Sequence, residues 1–114
     1  MEVREVSGAA EPERLVLEVT GEVDLANCGQ LESAVVAALE AAERPRALVL
    51  DLAGVSFLDS SGLRVVLSGA GLARTGGVQF SVIASVAVSR VFELAGIGPE
   101  TLKVEETGQA LSGA

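Results

Sequence analysis

Histidine, tryptophan and tyrosine are all missing from this chain, cysteine occurs once, and there are only three phenylalanines. Each scarcity removes a class of function. Without an imidazole there is no Ser-His-Asp or Cys-His nucleophilic apparatus and no histidine-containing metal site. The lone thiol, Cys28, cannot build a thiolate site by itself or close an internal disulfide. So few rings leave little surface on which bases could stack. No apolar run nears the roughly 20 residues that cross a bilayer. The opening residues Met1-Glu2-Val3-Arg4-Glu5 lack the basic-then-apolar pattern of a secretory signal. The expectations are a cytoplasmic protein with no membrane association, no cofactor and no metal.

What remains is ordinary globular material. A length of 114 residues with 49% hydrophobic content predicts one domain over residues 1–114. The formal net charge of −8 is unevenly spread. Residues 1–43 hold ten acidic and two basic residues, whereas residues 44–114 hold six of each. An acidic face repels nucleic acid and anionic lipid; it suits a basic protein partner or serves solubility alone.

Periodicity then sketches the elements. Val3 to Val6 reads as a short strand and residues 8–13, with Gly8 and Pro12, as a loop. Leu15, Leu17 and Val19 alternate with Val16, Glu18 and Thr20 in a second strand, closed by Gly21-Glu22-Val23-Asp24. A helix is expected over Asn27–Glu43, with Leu31, Val35, Ala38, Leu39 and Ala42 inward and Arg44-Pro45-Arg46 as its stop. Ala47–Leu52 is nearly all apolar and predicts a central strand covered on both faces. Ala53–Asp59 reads as a connector. A helix from Ser60 or Ser61 follows, with Leu63, Val66, Leu67 and Ala70 buried. Gly69 and Gly71 lie within it, each weakening it by about 1 kcal/mol against alanine. Gly76-Gly77 ends it. A strand over Val78–Ile83 comes next. The following helix, Val86–Ala95, has Val88, Val91, Phe92 and Ala95 inward and is terminated by Gly96. Thr101–Val104 gives a last strand, and residues 106–113 a frayed helix or tail. The order β-β-α-β-α-β-α-β is an α/β fold. It predicts a mixed, mostly parallel sheet of about five strands with three to four helices, the first strand antiparallel at an edge.

In such sheets function gathers beyond the carboxyl ends of the strands, here in Gly21–Asn27 and Ala53–Gly62. The second segment holds Phe57-Leu58-Asp59-Ser60-Ser61-Gly62. Asp59, Ser60 and Ser61 stand where a helix begins, and one of them can cap its free N–H groups. Three small polar residues exceed the needs of a cap, and the Phe57-Leu58 pair is expected to pin the loop from behind. A hydroxyl held at a helix start is also a good kinase acceptor, and phosphate there adds about −1.5 to −2 charge.

These residues resemble a known family. The segment from Leu50 to Leu63, with Asp59-Ser60-Ser61-Gly62, is similar to the signature of STAS domains, the sulfate transporter and anti-sigma factor antagonist fold. Gly21-Glu22-Val23-Asp24-Leu25, Gly76-Gly77 before a strand, and Val91-Phe92-Glu93-Leu94-Ala95-Gly96-Ile97 match as well. The resemblance spans essentially the whole chain and implies a bacterial anti-sigma factor antagonist. Such a domain binds an anti-sigma factor that is also a serine kinase and thereby frees a sigma factor. The kinase phosphorylates the first serine of the motif, Ser60 here, and a PP2C-type phosphatase restores it. Partner contact is implied for Asp24, Asp59, Ser60, Ser61 and Gly62, with Arg64 following on the helix. The oligomeric state stays open, a monomer being admitted.

Other readings are weaker. A stand-alone STAS subunit of a transporter or lipid-trafficking complex is the alternative within the fold, and the intact Ser60 motif argues against it. A stressosome-type scaffold usually carries an additional N-terminal domain. An enzyme would have only Asp24, Asp59, Ser60 and Ser61, with no base of suitable pKa. Gly69-Ala70-Gly71-Leu72-Ala73-Arg74 follows no strand and has arginine where a dinucleotide loop needs its third glycine. Cys28 stands near a helix start, which can lower a thiol pKa, but reads more simply as a small packed residue.

Overall fold

The computed structural model describes residues 1–7 and 13–106. Within them the chain runs β1 (Glu2–Ser7), β2 (Arg14–Val23), α1 (Cys28–Glu40), β3 (Ala47–Leu58), α2 (Ser60–Thr75), β4 (Gln79–Ala84), α3 (Val86–Leu94) and β5 (Lys103–Glu106). The sheet has the order β1-β2-β3-β4-β5. β1 is antiparallel to β2, and every other pair is parallel. The predicted α/β fold with an antiparallel edge strand is therefore observed. The loop expected over residues 8–13, save Glu13, and the frayed helix or tail expected over 106–113, save Glu106 (which ends β5), lie outside the described residues.

Spatial order equals chain order, so each right-handed crossover steps the same way and sets its helix on the same face. Leu31 and Val35 of α1, Val66 and Ala70 of α2, and Val88 and Phe92 of α3 share one core with Leu48, Leu50 and Leu52 of β3. The expectation that β3 is covered on both faces holds only in part: the described helices share one face, yet Val49 on the other is buried at 3% exposure. Val49 and Asp51 point to the opposite side, beside Val16 and Glu18 of β2 and Ser81 and Ile83 of β4, where no described helix lies.

The predicted connector Ala53–Asp59 is also corrected: β3 continues to Leu58. Its core-facing residues are Leu48, Leu50 and Leu52, then Val55 and Leu58, so the spacing changes from two to three. Two register shifts against β2 are the cause, one between Glu18 and Thr20 and one between Gly21 and Glu22. Each inserts an extra residue on β3 and bends the strand. At the first shift the Asp51 carboxylate accepts a bond from the Ala53 N–H at 3.0 Å. Just beyond it, a Cβ on Gly54 would stand 2.8 Å from Thr20 Cγ2, so a side chain at residue 54 would have to push Thr20 aside.

The helices deviate in smaller ways. α1 stops at Glu40, with Ala41 already extended at ψ 147°, so Ala42 is exposed rather than inward. The buried residues of α2 are Gly62, Val65, Val66, Gly69, Ala70 and Ala73, with Leu63 and Leu67 only half-buried. The two glycines differ. A Cβ on Gly69 would stand 3.0 Å from Val35 Cγ1 of α1, whereas Gly71 has open space around it. In α3, Val88, Ser89 and Phe92 are buried, Val91 is half-buried and Ala95 is exposed. Gly96, at φ +72°, ends α3 as predicted. Its N–H donates to the Glu93 carbonyl at 3.1 Å, and that of Ile97 to the Phe92 carbonyl at 3.0 Å.

Candidate functional site

The site forms where β2 and β3 end side by side. Val23 pairs with Leu58, and the Asp59 N–H donates to the Val23 carbonyl at 3.2 Å. Because β3 ends at Leu58 and α2 begins at Ser60, the expected loop shrinks to one residue, Asp59. Its extended backbone, φ −95° and ψ −175°, makes it the N-cap of α2. Oδ1 accepts from the N–H groups of Ser61 at 2.9 Å and Gly62 at 3.0 Å, satisfying donors that have no partner inside the helix. Among the three candidates for the cap, aspartate takes the role, which leaves both serine hydroxyls out of it.

The other oxygen of Asp59 works elsewhere. Oδ2 accepts from the Leu25 N–H at 3.2 Å, so one carboxylate holds the start of α2 and the turn after β2. That turn is tied internally as well. Asp24 Oδ1 accepts from the Ala26 N–H at 3.0 Å. Asn27 Oδ1 accepts from the Asp24 N–H at 2.9 Å, while its Nδ2 donates to the Glu22 carbonyl at 2.9 Å. Asn27 was expected inside the helix. It precedes α1 and bonds backwards, and the Asp-x-x-Asn spacing was the signal available for this.

Gly62 is buried against both strands. A Cβ there would stand 2.5 Å from Leu58 Cδ1 and 2.9 Å from Val23 Cγ1. The glycine thus allows the first turn of α2 to sit directly on the strand ends. Ser60 is exposed and Ser61 half-buried. Arg64, also exposed, is one turn beyond Ser60 on the same helix face. The structure therefore gathers Asp24, Asp59, Ser60, Ser61 and Gly62 at one end of the sheet, with Arg64 beside them.

The surroundings hold apolar residues whose exposure sequence reasoning did not anticipate. Leu25 is 76% exposed, Phe57 47% and Val86 73%. They stand at the carboxyl ends of the adjacent strands β2, β3 and β4. Phe57 therefore does not pin the loop from behind. Leu58 alone is buried, because the second register shift turns Phe57 out opposite Glu22. Ser85 ties the third strand end in. Its Oγ donates to the Val55 carbonyl at 2.7 Å and accepts from the Val88 N–H at 3.2 Å.

Among the described residues, no group of three or more His, Cys, Asp or Glu side chains gathers as a metal would require. No described helix is long and apolar enough to cross a membrane.

Comparison with known proteins agrees with this geometry. The sequence model of the family described as Mlab, STAS domain, matches residues 6–104. The anti-sigma-F factor antagonist RsfB of Mycobacterium tuberculosis is 40% identical over 76 residues, 66% of this chain and 59% of that protein. The chain thus spans about three fifths of the curated relatives it matches. An anti-sigma factor antagonist from Mycobacterium paratuberculosis superposes with a TM-score of 0.75 at 28% identity, covering 98% of this chain and 92% of that one. The antagonist SpoIIAA in its unphosphorylated form shares the fold, with a TM-score of 0.73 at 20% identity over 96% of this chain and 93% of its own. Fold, helix start and relatives concur: the chain belongs to the STAS domain family and is a homologue of the anti-sigma factor antagonists.

Proposed function

We propose that this domain is a cytoplasmic anti-sigma factor antagonist, a binding module rather than an enzyme. It binds an anti-sigma factor that is also a serine kinase, through the end of the sheet that carries Asp24, Asp59 and Ser60, and so frees a sigma factor. The kinase transfers the γ-phosphoryl group of ATP to Ser60 Oγ, which loses its proton as ADP leaves. A PP2C-type phosphatase hydrolyses the ester and resets the cycle.

One observation carries this reading. The Ser60 hydroxyl stands exposed at the first residue of α2, and the adjacent Asp59 already occupies the N–H groups of Ser61 and Gly62. A helix N-terminus ordinarily welcomes phosphate. Here a carboxylate holds those donors first. A phosphate on Ser60 would have to sit beside that negative charge or displace it, and displacement would release the Leu25 turn. Either way charge and volume are added amid Leu25, Phe57 and Val86, whose exposed apolar surface suits a protein partner. The relatives named as antagonists support the same reading.

The test is phosphopeptide mass spectrometry on the protein from its native cells, growing and stressed. The expected result is phosphate on Ser60 with an occupancy that changes between conditions. The captured anti-sigma factor should bind Ser60→Asp about 100-fold more weakly than wild type, which is about 2.7 kcal/mol. Ser60 unmodified in every condition, together with co-purification of a membrane permease, would replace this reading with that of a transporter or lipid-trafficking subunit.

A further inference from the structure

A second surface lies away from the Ser60 end. Crossover helices accompany the steps from β2 to β3, β3 to β4 and β4 to β5. The antiparallel β1–β2 step brings none. The helix-side face of β1 therefore has no described helix above it, and a groove of about 780 Å³ runs between β1 and α1. Its floor is apolar, made by Val3, Leu15 and Leu17, and its wall is Ala34, Ala37 and Ala38 of α1, with Ala41 just past the helix end. Alanines let another helix approach closely, within the roughly 8–10 Å between axes of packed helices. From Gln30, which lines the groove, to its end at Glu40, α1 rises about 15 Å at 1.5 Å per residue, close to three helical turns.

The rim specifies charge. Glu5, Glu13 and Glu43 line the groove; Glu13 already pairs with Arg46 at 3.5 Å, and Glu5 stands opposite Leu17 on the helix side of β1. The one basic residue among the lining groups, Arg44, donates to the Gly76 carbonyl at 3.2 Å. Moreover, β1, β2 and α1 all lie in the first 43 residues, where acids outnumber bases ten to two. A second copy of this chain would bring the same net charge of −8, and an anionic lipid would meet the same repulsion. We propose that this groove receives a basic amphipathic helix of about three turns from a protein partner, with its apolar face on Val3, Leu15 and Leu17 and its cations against the glutamates. None of the lining residues belongs to the Ser60 site, so the groove can be filled whether or not that site is engaged.

The probe is a helical leucine–lysine peptide of about three turns, with a leucine–glutamate peptide of the same pattern as its counterpart. Binding to the full chain is followed by fluorescence anisotropy and by amide-shift mapping. The expected shifts centre on Val3, Leu17, Ala34 and Ala38. Ala37→Arg, at an exposed helix position, should weaken binding at least about 10-fold by blocking the wall and reversing the local charge. Glu5→Lys should weaken it several-fold and flatten its salt dependence, while Ser60→Asp leaves it unchanged. Equal binding of the glutamate peptide, shifts centred on Leu25 and Ser60, or wild-type affinity in a folded Ala37→Arg would each overturn the proposal. So would concentration-dependent shifts at Val3 and Ala34 without peptide, which would put a second copy in the groove.

Discussion

From Ala47 to Asp51, β3 pairs with β2 one residue to one, and Leu48 and Leu50 enter the core on alternate positions. From Leu52 to Leu58 the same two strands slip twice, and Phe57 emerges 47% exposed while Leu58 stays buried. The lower half keeps the regular pleat and fills the core beneath the helices. The upper half gives up two ladder positions and turns side chains outward beside α2. One pair of strands thus serves stability at one end and presentation at the other, and the bulges are what separate the two tasks.

Substitutions can break or sharpen that contrast. In the lower half, Leu50→Ala removes a fully buried side chain at 0% exposure and should cost about 2–5 kcal/mol, read by urea denaturation, with peptide binding to the β1–α1 groove falling only as the fold is lost. In the upper half, Gly62→Ala drives a Cβ against Leu58 and Val23 and should cost about 1–3 kcal/mol. Gly71→Ala in the same helix meets nothing within 4 Å and should stabilise by up to about 1 kcal/mol. If both alanines had the same sign in thermal melts, the close fit at Gly62 would not be limiting. An effect of similar size is expected from Asp59→Ala, about 1 kcal/mol for the lost cap, with Asp59→Asn keeping most of it. Hydrogen exchange supplies the discriminating readout. Protection should fall at Ser61, Gly62 and Leu25 together, since one carboxylate serves all three, while Leu50 is unaffected.

Most of the architecture was legible because strands and helices here keep their own periods. Leu15, Leu17 and Val19 alternate cleanly, and Leu31, Val35, Ala38 and Leu39 recur at helical spacing, as the structure bears out. The reading lost its way where the period itself changed. Leu52, Val55 and Leu58 are spaced by three, which no regular strand shows, so a bulged strand passed for a connector. The stripe of α2 was misjudged for another reason: apolar residues surround that helix, and two of its buried positions are glycines, invisible to a hydrophobic count. At the site, the small polar residues Asp59, Ser60 and Ser61 marked a helix start in the sequence, but which of them capped it was a matter of backbone geometry. The exposure of Leu25, Phe57 and Val86 was illegible, because an apolar side chain carries no sign of which way a bulge or turn will aim it.

The bond from the Leu25 N–H to Asp59 has one further consequence. Asp59 grips residue 25 by a group that every amino acid except proline possesses, and the side chain itself projects into solvent. The turn is therefore fixed in place without regard to what it displays. Residue 25 is free to change size, charge or polarity while α2 keeps its start and the turn its position. A substitution at this point can therefore change what the surface displays and leave the Asp59 bonding that holds it there untouched.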